Sequence, residues 1–259
     1  MEYKFHNKAY EMASIVEINA TDSALFREID WEQPETVQSI LKPSKICLLH
    51  RYIYAAIFTY ESAEYRENSD LYWDACIENN DLEETFTIYG ISVEPFRQYI
   101  AELDTKENNN LFYAWFLLNE AKFELLWEKI TEEVFHVLFA NRAFLLKFNS
   151  SLADFLKQGL VKIPPSYLDK KGVVKRHSIP AWVKKAVYFR DHGRCVLCNK
   201  DLTGLLSTDQ TLHYDHIVPL KLWGTNDPCN IQLLCEKCNL EKSGNLVKTG
   251  YRYPMWWDS

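Results

Sequence analysis

No run of about 18 apolar residues occurs in this chain, which leaves no candidate for a membrane-spanning helix and no expected membrane partner. The opening MEYKFHNKAY lacks the apolar stretch of a signal peptide, so a cytoplasmic protein is expected. No internal repeat or low-complexity segment is present, and the apolar content is ample for a buried core. An even disulfide framework is missing as well. The seven cysteines are an odd number, and four of them fall in two C-x-x-C pairs, a pattern that reads as metal binding in an intracellular chain. Cys47, Cys76 and Cys229 remain, each read as a small buried apolar side chain. Positive charge is scarce in the first part of the chain. Residues 1–159 hold 14 Lys/Arg against 27 Asp/Glu, a balance of −13, while residues 160–259 hold 15 against 9, a balance of +6. That deficit argues against a DNA reader in the first part, and the excess gives the second the electrostatic footprint of a nucleic-acid partner.

The 259 residues allow one large domain or two modest ones. Residues 1–160 are expected to form an acidic, mostly helical regulatory or partner-binding domain, which would either dock companion proteins or cover the basic face of the second part and restrain it. The stretch past Pro43 is apolar at helical spacing with Ser44 as N-cap, and Ser92 stands ahead of another helix start. The long apolar tract from Asn108 to Phe148 predicts two helices broken near Asn141. The segment KAYEMASIVEINA fits a strand or an arm, which the pattern does not separate. Residues 161–177, with a double proline and charge runs, predict a basic linker, and residues 178–259 a second domain. That domain opens on a helix capped by Ser178, with Trp182, Ala186, Val187 and Phe189 as its apolar face. Lys184, Lys185, Arg190 and Arg194 are left for solvent or phosphate.

Cys195-x-x-Cys198 and Cys235-x-x-Cys238 stand 36 residues apart. Four thiolates in two knuckles suit tetrahedral Zn²⁺ with no open position, hence a structural ion. Between them, LHYDHIV alternates as a strand should, a turn-rich loop follows, IQLLC is strand-like, and EKCNLEKSG predicts a short helix ended by Gly244.

The pattern RDHGRCVLCNKDL … HYDHIVPLKLWGTNDPCNIQLLCEKCNLEKSG resembles the zinc-stapled branch of the HNH endonucleases over roughly residues 178–245. The resemblance implies a small α+β domain of ββα-metal fold with a structural zinc, behind a mainly α N-terminal domain. It implies that His216 is the general base, Asp215 a metal ligand, and Asn230 the residue that holds the loop. Asn239 stands where the family often has histidine and would ligate through its side-chain oxygen, favouring Mg²⁺ or Mn²⁺. Trp223 stands where a small residue is common. The residue types suit phosphodiester hydrolysis in their own right: a neutral imidazole with pKa about 6.5 can take a proton from water, and a divalent ion can stabilise phosphoryl charge.

In a regular strand Asp215 and His216 face opposite ways, so a bend is expected, with Asn230 pulling the backbone aside. His213 fits a support to the metal site, a phosphate contact or a partly exposed strand residue. His192 reads as a surface residue, and Lys242 as a DNA-phosphate contact or a solvated lysine. The expected function is a DNA endonuclease that nicks once per active site. The alternative is a zinc-stapled binding module whose nuclease site has decayed. A helical domain ahead of an HNH unit also looks like the effector nucleases of bacterial antiphage systems.

Overall fold

A computed structural model describes residues 7–20, 24–78, 81–103, 110–204 and 211–251. The helical periodicity of the first part resolves into α1 (Asn7–Ile18), α2 (Pro34–Leu41), α3 (Leu48–Glu67), α4 (Ser69–Glu78), α5 (Asp81–Ile88), α6 (Phe96–Glu102), α7 (Leu111–Leu118), α8 (Glu120–Ala140) and α9 (Arg142–Lys157). The segment read as a strand or an arm is therefore the helix α1. Asn141 does break the long tract, its side chain accepting the Phe144 N–H at 3.0 Å as an N-cap. A second break falls at Asn119, whose own amide turns back onto the Trp115 carbonyl.

The expected serine caps are not used. Cys47 precedes α3, and Pro95 precedes α6. Pro180 precedes α10 (Ala181–Arg190), because proline's fixed φ already suits a first turn and needs no side-chain cap there. The rest of the chain supplies β1 (His213–His216), β2 (Ile231–Leu234) and α11 (Glu236–Lys242).

Packing groups these elements into two units: Met1–Met12 with Ile53–Val134, and Ala13–Tyr52 with Phe135–Ser259. The charge boundary near residue 160 is thus not a packing boundary. In the first unit the core is aromatic, with Tyr65, Phe112, Trp115, Phe116 and Phe123 buried and ring pairs such as Phe116–Phe123 meeting edge-on at 4.8 Å. A buried carboxylate, Glu61, is held there by Lys8 at 2.6 Å and by the Tyr65 hydroxyl.

In the second unit α9 buries Phe144, Leu145, Phe148, Leu152, Phe155 and Leu156, the i, i+4 stripe of an amphipathic helix. Asn149 on the same helix donates to the Cys229 carbonyl at 3.0 Å. The end of α2 meets the same loop, where the Asn226 N–H and side-chain amide donate to the carbonyls of Ile40 and Leu41.

β1 and β2 form a two-stranded antiparallel sheet with Asp215 opposite Gln232 and His216 opposite Ile231. Such a ribbon is marginal alone, and α10 braces it. Arg190 and Asp191 form a bidentate pair with both contacts at 2.9 Å. The Arg190 guanidinium donates to the Ile231 carbonyl at 2.7 Å, and the Asp191 carboxylate accepts the Leu233 N–H at 2.9 Å. With the Val196 N–H on the Leu233 carbonyl, these contacts satisfy the side of β2 that faces away from β1.

Two sequence expectations are corrected by this bracing. Arg190 is buried and serves the sheet, so it is not a phosphate contact. The buried face of α10 is Val183, Val187 and Arg190, whereas Trp182 and Phe189 are 38% and 64% exposed.

Candidate active site and its metal clamp

The first cysteine knuckle is a turn closed by Cys195 N–H to Lys200 O at 2.9 Å and Asn199 N–H to Cys195 O at 2.8 Å, with Asn199 at φ +61°. Arg194 braces it by donating to the Asn199 carbonyl at 3.3 Å, a use other than the expected DNA contact. The second knuckle is the start of α11, with Cys235 just before it and Cys238 in its first turn. The four sulfurs lie within 4.8 Å of one another, and Cys198 and Cys235 are 3.7 Å apart. A tetrahedral ion with bonds of about 2.3 Å separates its sulfurs by about 3.8 Å, so the cluster fits zinc.

The clamp places α11 beside β1. Asn239 approaches His213 Nδ1 through its amide nitrogen at 3.3 Å, which leaves its oxygen available. Lys242 is buried and donates to Asp215 Oδ2 at 2.8 Å and to the His216 carbonyl at 2.7 Å. It is therefore neither a solvated lysine nor a surface contact to DNA, because its ammonium is consumed in fixing two residues of β1. Among the exposed helix lysines, Lys184 stands 5.8 Å from the Tyr214 ring centroid and Lys185 6.0 Å from that of Phe189.

Asn230 holds the loop after β1 with its whole side chain. Its oxygen accepts the Val218 N–H at 2.8 Å, and its nitrogen donates to the Val218 and Thr225 carbonyls at 2.9 Å each. This close return of the chain explains Gly224: a Cβ there would stand 1.9 Å from the Val218 carbonyl oxygen and 3.0 Å from Asn230 Nδ2. Trp223 beside it takes φ +67°, the left-handed region that glycine occupies at least cost, which gives the family's small residue a physical reason.

The strand's alternation survives. His213 and Asp215 share the face toward α11, and His216 turns the other way, 1% exposed. Neither ring nitrogen of His216 has a hydrogen-bond partner of good geometry, and His213 Nε2 is likewise unpartnered. Burial first, and the Arg176 guanidinium second, pull the His216 imidazole down to about 4. Asp215 and the Asn226 side chain favour its charged form but do not prevail. The ring is therefore neutral at ordinary pH and can accept a proton.

Arg176 was not singled out by sequence, since it lay in what read as a basic linker. Asn226 pins the backbone on either side of it, donating to the Lys175 carbonyl at 2.8 Å and accepting the His177 N–H at 3.1 Å. The N-D of GTND was the only sequence signal.

Two antiparallel strands and a helix, with four cysteines gathered where a metal ion fits, make a small ββα unit. Residues 195–244 match the family described as HNH endonuclease, which points to a metal-dependent nuclease. No curated protein and no solved structure matches the chain. No helix among the described residues is long and apolar enough to cross a membrane.

Proposed function

We propose that the chain is a metal-dependent DNA endonuclease that hydrolyses one phosphodiester per active site and leaves a nick. The observation that carries this reading is the set of buried imidazole nitrogens on β1 that make no hydrogen bond of good geometry, two on His216 and one on His213, on the strand that also carries Asp215. Buried polar groups are ordinarily paired, so such a group marks a place where a water, ion or substrate belongs.

Asp215 and Asn239 fit a hard divalent ion. Each offers an oxygen outside the hydrogen bonds described, Oδ1 of Asp215 and the side-chain oxygen of Asn239. Bound Mg²⁺ or Mn²⁺ would supply Lewis-acid stabilisation of the phosphoryl oxygens and the departing 3′ oxygen. His216 takes the proton of the attacking water, Asn230 keeps the loop that aims it, and Lys242 orients Asp215 through its carboxylate. Arg176, exposed and fixed by Asn226, meets the phosphate backbone together with Lys184 and Lys185.

The test is conversion of supercoiled plasmid to the nicked circle by the full chain with Mg²⁺ or Mn²⁺. A folded, zinc-loaded protein that produces no nick under any of these conditions overturns the proposal. Arg176→Ala should raise KM about tenfold and reduce the salt dependence of binding by about one phosphate contact. An unchanged salt slope assigns Arg176 to structure alone.

One observation favours the alternative, a zinc-stapled nucleic-acid-binding module: Lys242 already provides Asp215 with a cation. Binding without cleavage in the same assay would select it. A role against foreign DNA, with companion proteins docking on residues 1–160, rests on the order of a helical acidic region before an HNH unit. Unchanged phage plating on cells carrying the chain with its genomic neighbours would count against that role.

A further inference from the structure

The loop that ends at Asn230 carries a second group of metal-binding side chains, separate from the four-thiolate clamp. Cys47, just before α3, and Cys229, inside the short turn Pro228–Asn230, bring their sulfurs to 3.5 Å although 182 residues separate them. Asp227 joins them. The ligand atoms of Cys47, Asp227 and Cys229 all lie within 4.8 Å of one another, and all three residues are buried. His50 sets its Nδ1 3.1 Å from the Cys47 sulfur, with its ring stacked on Phe135 at 3.8 Å. We propose that this pocket is a second structural metal site, binding Zn²⁺ through Cys47, Asp227 and Cys229, with His50, which stands against Cys47 alone of the three, turning in as the fourth ligand.

The sulfur spacing supports an ion over a covalent bridge. It is close to the 3.7 Å of Cys198 and Cys235 in the clamp and to the separation of about 3.8 Å for thiolates on one tetrahedral zinc. A disulfide needs about 2.05 Å. Charge points the same way. The Asp227 carboxylate is fully buried, and its hydrogen bonds come from the neutral backbone N–H groups of Leu48 and Cys229, at 2.8 Å each. No lysine or arginine pairs with it among the described residues, whereas buried carboxylates are normally paired or hold a metal. Two thiolates and an imidazole select zinc over magnesium.

Helix capping accounts for part of the cluster. His50 Nδ1 accepts the Cys47 N–H at 3.2 Å, and Asp227 caps Leu48. Capping explains neither sulfur, and ligation would take over the His50 lone pair that now receives the Cys47 N–H. The ion would tie the first turn of α3 to the turn that ends in Asn230.

Zinc content of the full chain, measured after washing with a weak chelator, tests this. The expected value is about two equivalents per chain, falling to about one in Cys47→Ser, in Cys229→Ser and in Cys198→Ser. Asp215→Ala should keep both, which separates this ion from one lodged in the nuclease site. A single equivalent in the wild type, two retained in a folded Cys47→Ser, or a Cys47–Cys229 disulfide in the purified protein would each overturn the site. Should the serine variants fail to fold, cobalt substitution of the wild type still reads it: charge-transfer intensity of six thiolates supports the site, and that of four refutes it.

Discussion

His216→Ala lowers kcat for plasmid nicking by about 10²–10⁴-fold, the usual contribution of a positioned general base, while KM for DNA stays nearly unchanged. The imidazole makes no hydrogen bond of good geometry, so its loss removes no network, and the fold should tolerate the change. The pH profile adds a second reading. Since the ring's folded pKa is pulled to about 4 from 6.5, the base remains neutral far into acid, and kcat/KM should stay level until the pH approaches about 4.

The sign for stability follows from the same shift. The unfolded chain binds the proton first, so the residue's contribution is intact above 6.5 and declines as pH falls through about 4. Plasmid nicking across pH for wild type and variant measures the catalytic effect. An acid limb near 6.5, or a variant that cuts at the wild-type rate, would remove His216 from the role of base.

Cys238→Ser unravels the ribbon. Two four-residue strands cannot hold themselves, and structural zinc contributes roughly 10–16 kcal/mol of apparent binding energy in small zinc folds. Without the clamp α11 loses its anchor, and with it go the Lys242 contacts to Asp215 and to the His216 carbonyl. Hydrogen exchange should show loss of protection at Ile217 and Val196, whose N–H groups bond the carbonyls of Asn230 and Leu233. Nicking should vanish and not return with added Mg²⁺. Retained protection in Cys238→Ser would mean that helix packing alone supports the site.

The elements around the cysteine knuckles were legible because each carried a local signal: alternation in LHYDHIV, apolar IQLLC, and a glycine after the short helix. Asn141 announced its break in the same way. What escaped was set by tertiary packing. Arg190 and Lys242 read as phosphate contacts because a cation in a helix usually faces solvent, yet each is buried against partners that include residues 26 to 41 positions away. Cys47 and Cys229 read as separate apolar residues, since nothing local joins positions so distant in sequence. Charge composition divided the chain near residue 160 because charge reports on surfaces. Residues 13–52 and 135–159 share a core with the second part through apolar and backbone contacts that leave no trace in net charge.

The ion pair of Arg190 with Asp191 has an effect beyond bracing the ribbon. A two-stranded ribbon ordinarily offers its outer backbone as a template on which a strand from another molecule can add, the first step of aggregation. Here the Ile231 carbonyl is taken by a guanidinium, the Leu233 N–H by a carboxylate and the Leu233 carbonyl by the Val196 N–H, so side chains and a knuckle stand in for a third strand. A foreign strand that docked along β2 would have to displace a buried charge pair, and self-association by that route is closed.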